Sequence, residues 1–189
     1  MKKLSLLVLF TLICMVGAAQ SAGTHIKFDD VSVDGPMNAF VSQLTQKGYT
    51  LIANDGEMAM LEGEFSSVPG CSVLVQADKS RDLVYGVVLA IPIGGNWAQS
   101  IQAYADVKVS MEQHFGKPVK QNEGFLEGHG LDDASKLTEL EQGYGKFETT
   151  FMPEGGALSV TLGYRSDSGS YVEMLYIDRQ NYMLISGGK

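Results

Sequence analysis

The residues able to do chemistry are few and scattered. The histidines are His25, His114 and His129, and no two stand at a metal-ligand spacing such as H-x-x-x-H. His114 closes a helical pattern, where an imidazole interacts well with the carbonyl end of the helix dipole. That placement accounts for it without catalysis. A Cys71–His114 pair would supply a thiol nucleophile and its base, but no flanking motif marks it. Cys71, in Cys71-Ser72-Val73, reads as a small buried hydrophobe. Gly94-Gly95 precede Asn96 and would let an anion reach a helix N-terminus. Without a G-x-G-x-x-G or P-loop context they read as a plain strand-to-helix turn.

Acidic residues concentrate between Glu123 and Glu141: Glu123, Glu127, Asp132, Asp133, Glu139 and Glu141. Carboxylates near glycines suit calcium, but the spacing is not that of an EF-hand loop. Paired carboxylates for glycoside hydrolysis need a cleft with aromatic platforms, and the single Trp97 falls on a helix face. The segment is also the longest break in the strand pattern, and long loops on rigid scaffolds often carry function. Glu127, Asp132, Asp133, Glu139 and Glu141 are therefore expected to form a partner-contact loop. No catalytic residue, cofactor site or metal site is assigned.

One helix must position the rest. Asn96 is an N-cap, and Trp97, Ile101, Tyr104, Met111 and Phe115 recur at helical spacing. Lys108 falls on the same line, and Gln99, Gln102, Asp106 and Glu112 take the opposite side. Gly116 and Pro118 end it. Its apolar face is expected to be buried against a sheet. A shorter helix starts at Pro36, with Met37, Phe40, Val41 and Leu44 as its stripe, and ends at Gly48.

Strands surround both helices. Ile26, Phe28, Val31 and Val33 form an extended lead-in. Four strands follow the first helix, with turns expected at Asn54-Asp55-Gly56, Val68-Pro69-Gly70 and Asp78 to Asp82. Leu83 to Ile93 is apolar on both faces, which predicts a central strand covered on both sides. After the long helix come Val119 to Leu126, then a polar segment with a short helix within Asp132 to Gln142. Three alternating strands follow: Lys146 to Phe151, Leu158 to Tyr164 and Tyr171 to Ile177. Asn181 to Lys189 reads as a loose tail or a sheet extension. The predicted class is α+β: about eight antiparallel strands on two amphipathic helices, with a duplicated helix-plus-four-strand unit in halves of about 24–94 and 95–180.

Lys2-Lys3, the apolar run Leu4 to Val16 and the small residues Gly17-Ala18-Ala19 read as a signal peptide, cleaved before Gln20. The remaining residues, 20–189, form one domain. Cleavage would remove Cys14, so no internal disulfide is expected. The net charge of −8 becomes −10 once Lys2 and Lys3 are gone. Such a surface repels phosphate backbones, which excludes nucleic acid as a partner.

The signal peptide, the stretch D-G-P-M-N-A-F-V-S-Q-L-T-Q-K-G-Y, the apolar hairpins and W-x₆-Y…F-G-K-P together resemble small exported bacterial proteins. The repeated helix-plus-four-strand unit is similar to the TATA-binding-protein saddle and to the β-lactamase inhibitory proteins. The second resemblance implies a protein-binding surface. The resulting expectation is an exported, periplasmic or extracellular, non-catalytic binding or envelope-associated protein. Its partner would be a protein or small molecule, and it would meet the membrane only transiently through its signal peptide. A small hydrolase or calcium-binding enzyme without a recognisable motif is the alternative.

Overall fold

The computed structural model describes residues 24–187. The signal-peptide assignment falls outside them. The main body is one eight-stranded antiparallel sheet in the order β3-β4-β5-β6-β10-β9-β8-β7. β3 (Thr50–Asn54), β4 (Met58–Phe65), β5 (Val68–Asp78) and β6 (Leu83–Pro92) form one meander. β7 (Lys120–Phe125), β8 (Gly145–Phe151), β9 (Gly156–Arg165) and β10 (Gly169–Asp178) form the other. The two meanders join at their last strands, β6 and β10, so the order reads symmetrically from either edge.

Three helices cover one face. α1 (Met37–Gln46) packs on the first meander and α2 (Trp97–Phe115) on the second, with α3 (Lys136–Glu141) beside α2 over β8 and β9. The alternation of each strand places Leu61, Val73, Leu89, Met174 and Val160 in one continuous buried row beneath them. Cys71 is in this core, and burial, with the nearby Glu64 charge, pushes its thiol pKa up. The thiol stays protonated and donates to the Val68 carbonyl at 3.2 Å.

α2 has the predicted length and stops. Asn96 accepts from the Gln99 backbone, and Gln99 reaches back to the Asn96 N–H, closing a capping box. Its buried residues are Ser100 and Tyr104. Trp97, Ile101, Met111 and Phe115 pack on the core but are only partly buried, because a helix at the rim of a layer leaves one flank in water. Ser100 is buried because it donates to Ser170 at 2.7 Å. α1 has no side-chain cap of its own. Asp82, in the β5–β6 turn, accepts from the Met37 N–H instead, at 3.0 Å.

Four expectations need correction. The lead-in is a small hairpin, β1 (Lys27–Phe28) and β2 (Val31–Ser32), reversed at Asp29-Asp30 with φ of 46° and 64°. The β4–β5 reversal is at Ser66-Ser67, φ 50° and 67°, and Pro69-Gly70 lie within β5. In both, two consecutive left-handed residues match the strand twist, as short polar side chains permit. β6 is central, but its second face is covered only near its start, where Tyr182 of the C-terminal helix meets Tyr85; further on, Val88 and Ala90 are half-buried among neighbouring strands. The tail forms a helix, α4 (Arg179–Ile185), with Asp178 as N-cap. Its Asn181 amide is buried and donates to the Val33 carbonyl, the Val84 carbonyl and Asp34 at 2.9–3.1 Å. Those long-range acceptors anchor the helix, and they are invisible in local periodicity.

Candidate functional site

The acidic segment sits beside α2, on the helix-covered side. Most of its carboxylates are spent on the segment itself. Glu139 accepts from the Gly130 N–H at 2.6 Å and from the Ser135 hydroxyl at 2.7 Å, and lies 3.4 Å from His129 Nδ1. The Gly130 N–H, then Ser135 and His129, hold its pKa below the usual carboxylate range. Gly130 has φ +68°, and the Phe125 ring occupies the space of a Cβ, so only glycine brings this N–H to Glu139. Asp132 accepts from the Ala134 N–H and Asp133 pairs with Lys136. Glu141 reaches out to accept from the Ser166 N–H at 2.9 Å. Glu127 is exposed after β7. The contact-loop residues therefore adjoin one another in sequence but do not converge on a common point. Among the described residues, no three His, Cys, Asp or Glu side chains group to hold a metal ion.

Glu123 belongs to a different cluster. Its Oε1 accepts from Tyr104 at 2.9 Å, Thr149 at 3.0 Å and Lys108 at 2.7 Å. Burial opposes ionisation of Glu123, but these three donors and the Lys108 charge outweigh it and hold its pKa down. Burial, reinforced by Glu123, pushes the Tyr104 phenol well above its ordinary value. A phenol so raised is no base at neutral pH. The cluster ties α2 to β7 and β8.

His25, like His129 beside Glu139, faces a carboxylate as a catalytic base would. Its Nδ1 lies 3.1 Å from the buried Asp178, and its Nε2 lies 3.6 Å from Asp34. A catalytic histidine offers its second nitrogen to a hydroxyl or thiol. At His25 both nitrogens face carboxylates, so the ring ties the segment before β1 to the N-cap of α4. The shallow cleft beside it, about 580 Å³, is lined by Thr24, Glu154, Arg179 and Met183. Thr24 hydrogen-bonds Glu154 at 3.1 Å. His114 lies exposed in the last turn of α2.

The most distinctive surface is the sheet face opposite α1–α3. Register aligns its side chains into rows that cross the strands. One row is apolar: Met60, Leu74, Val88 and Leu175, on β4, β5, β6 and β10. It continues into Ser159 and Thr150, whose hydroxyls are 3.1 Å apart. The next row reads Glu62, Ser72, Ala90, Glu173, Thr161 and Glu148. Met60 is 45% exposed, and Glu173 is half-buried with no hydrogen-bond or ion-pair partner among the described residues. Burial pushes the Glu173 carboxyl up. Lys146 Nζ stands 2.6 Å from Glu148 Oε2, out of hydrogen-bond alignment, so that contact is one of charge alone.

Local sequence does not single out these residues. Alternation placed them on strands, but only register shows that four aliphatic side chains and three carboxylates fall into neighbouring lines. The chain matches no protein-family model, and neither curated proteins nor solved structures include a significant match.

Proposed function

We propose that this is an exported, non-catalytic binding protein whose contact surface is the sheet face opposite α1–α3, in the part that α4 leaves open. The observation that carries the reading is the row Met60–Leu74–Val88–Leu175, apolar across four strands, with Met60 exposed and the other three only half-buried. A monomer gains nothing from aliphatic side chains in water, and contiguous exposed apolar patches mark interaction sites. The use of Glu139, Glu141 and Asp132 on backbone N–H groups supports the same reading, because it makes the 127–145 segment a brace for the scaffold. Neither Tyr104–Glu123 nor His25–Asp178 presents a nucleophile–base pair.

The test replaces Met60 and Leu74 together by Glu in the mature protein and compares recovery of partners from native envelope extract. The double variant should fold, since both side chains point away from the core, and should lose the wild-type partners. Recovery of the same partners by a folded M60E/L74E protein refutes the assignment of the face.

A further inference from the structure

We propose that the occupant of this face is a basic amphipathic helix of a partner protein. It would lie across the strands with its aliphatic stripe on the Met60–Leu175 row and its Lys or Arg residues over Glu173 and Glu62. The inference rests on the contact-face reading above and specifies the partner's chemistry.

Glu173 sits half-buried between Ala90 and Thr161, with no cation of its own among the described residues. An incompletely solvated carboxylate is costly unless a cation meets it. Glu148 already has Lys146 beside it. Glu62, at the other end of the row, is exposed. A guanidinium or ammonium delivered over Glu173 would supply the missing charge, and a second would meet Glu62.

Spacing selects the shape. Glu173 and Glu62 are three strands apart, on β10 and β4, which is about 14 Å at strand spacing. A helix covers that distance in about nine or ten residues, so basic residues two to three turns apart would match both. The apolar and acidic rows are offset by two residues along each strand, about 6.7 Å. That offset is comparable to the separation of adjacent stripes on a helix about 10 Å wide. An extended peptide would instead pair with a sheet edge. A second copy of this chain would set one acidic row against another, which like-charge repulsion disfavours. An anionic lipid surface would be repelled by the same row.

The experiment titrates the mature protein with an 18-residue Leu/Lys peptide of helical amphipathic pattern. The comparison peptide has the same Leu positions and Glu for Lys. The Lys peptide should bind at least tenfold tighter than the Glu peptide. Glu173→Gln should weaken it about tenfold, a loss of roughly 1.4 kcal/mol. Glu112→Gln, which removes the same charge from the exposed side of α2, should change it far less. M60E/L74E should abolish binding. Equal binding of the two peptides, or equal effects of E173Q and E112Q, overturns the cationic assignment. If M60E/L74E still loses its envelope partners in that case, the contact face stands without it. Binding to phosphatidylglycerol vesicles in place of the peptide, or dimerisation through this face, also overturns the inference.

Discussion

Tyr104→Phe isolates one hydroxyl at the junction of α2, β7 and β8. The ring stays, with its edge contact to Phe147 at 6.3 Å, so no cavity forms. What is lost is the donor to Glu123 Oε1 at 2.9 Å and the contact with Thr149 Oγ1 at 2.8 Å. A buried hydrogen bond to a charged group is worth about 1.5–3 kcal/mol. Thr149 and Lys108 still reach the same oxygen, so the lower half of that range applies, about 1.5–2 kcal/mol. With a urea slope near 2 kcal/mol/M, the midpoint at pH 7 should fall by roughly 0.75–1 M. The loss should depend on pH. The Glu123 pKa is lower in the folded chain than in the unfolded one. Its stabilisation is therefore full above the ordinary carboxylate value of 4.5 and disappears as pH falls through the lower folded value. Urea titrations at pH 7 and pH 3, followed by circular dichroism, measure both. An unchanged midpoint at pH 7, or the same loss at both pH values, would refute the reasoning.

Three further outcomes are expected. Asn181→Ala leaves two carbonyls and the Asp34 carboxylate without their shared donor and should cost about 2–3 kcal/mol, with faster amide exchange in α4 by mass spectrometry. Gly155→Ala would place a Cβ 2.3 Å from the Thr24 carbonyl at φ +86°. It should lower stability by more than about 2 kcal/mol, read from the thermal midpoint. For Glu173 the sign is reversed: its folded pKa is raised, so stability falls as pH climbs through it. Glu173→Gln should therefore be more stable than wild type at pH 8, by about 0.5–2 kcal/mol, and equal to it at pH 3, as a pair of denaturant titrations would show.

Local patterns carried most of the fold. α2 was legible because its cap, stripe and stop are all local: Asn96, the apolar spacing from Trp97 to Phe115, and Gly116. The strands were legible where alternation was strict, as in Leu158, Val160 and Leu162. The reversal at Ser66-Ser67 was not, because Pro69-Gly70 is the stronger turn signal by residue type. The Ser pair becomes a turn only when β4 and β5 are in register. α4 escaped notice because Asn181 finds its partners 97 and 148 residues away.

The same division runs through the site. Sequence marked the acidic segment, since charge density is a local property, and it marked Lys108 on the apolar line of α2. It could not show that Glu139 turns inward to Gly130, or that Lys108 meets Glu123. Chemistry-bearing residue types, helix periods and the expected export signal follow from neighbours along the chain. Met60 and Leu175, or Glu62 and Glu173, lie more than a hundred residues apart and align only when the two meanders join at β6 and β10. The uncovered face therefore belongs to the tertiary structure, because strand pairing sets which distant side chains share a row and helix placement decides which face of the sheet stays open.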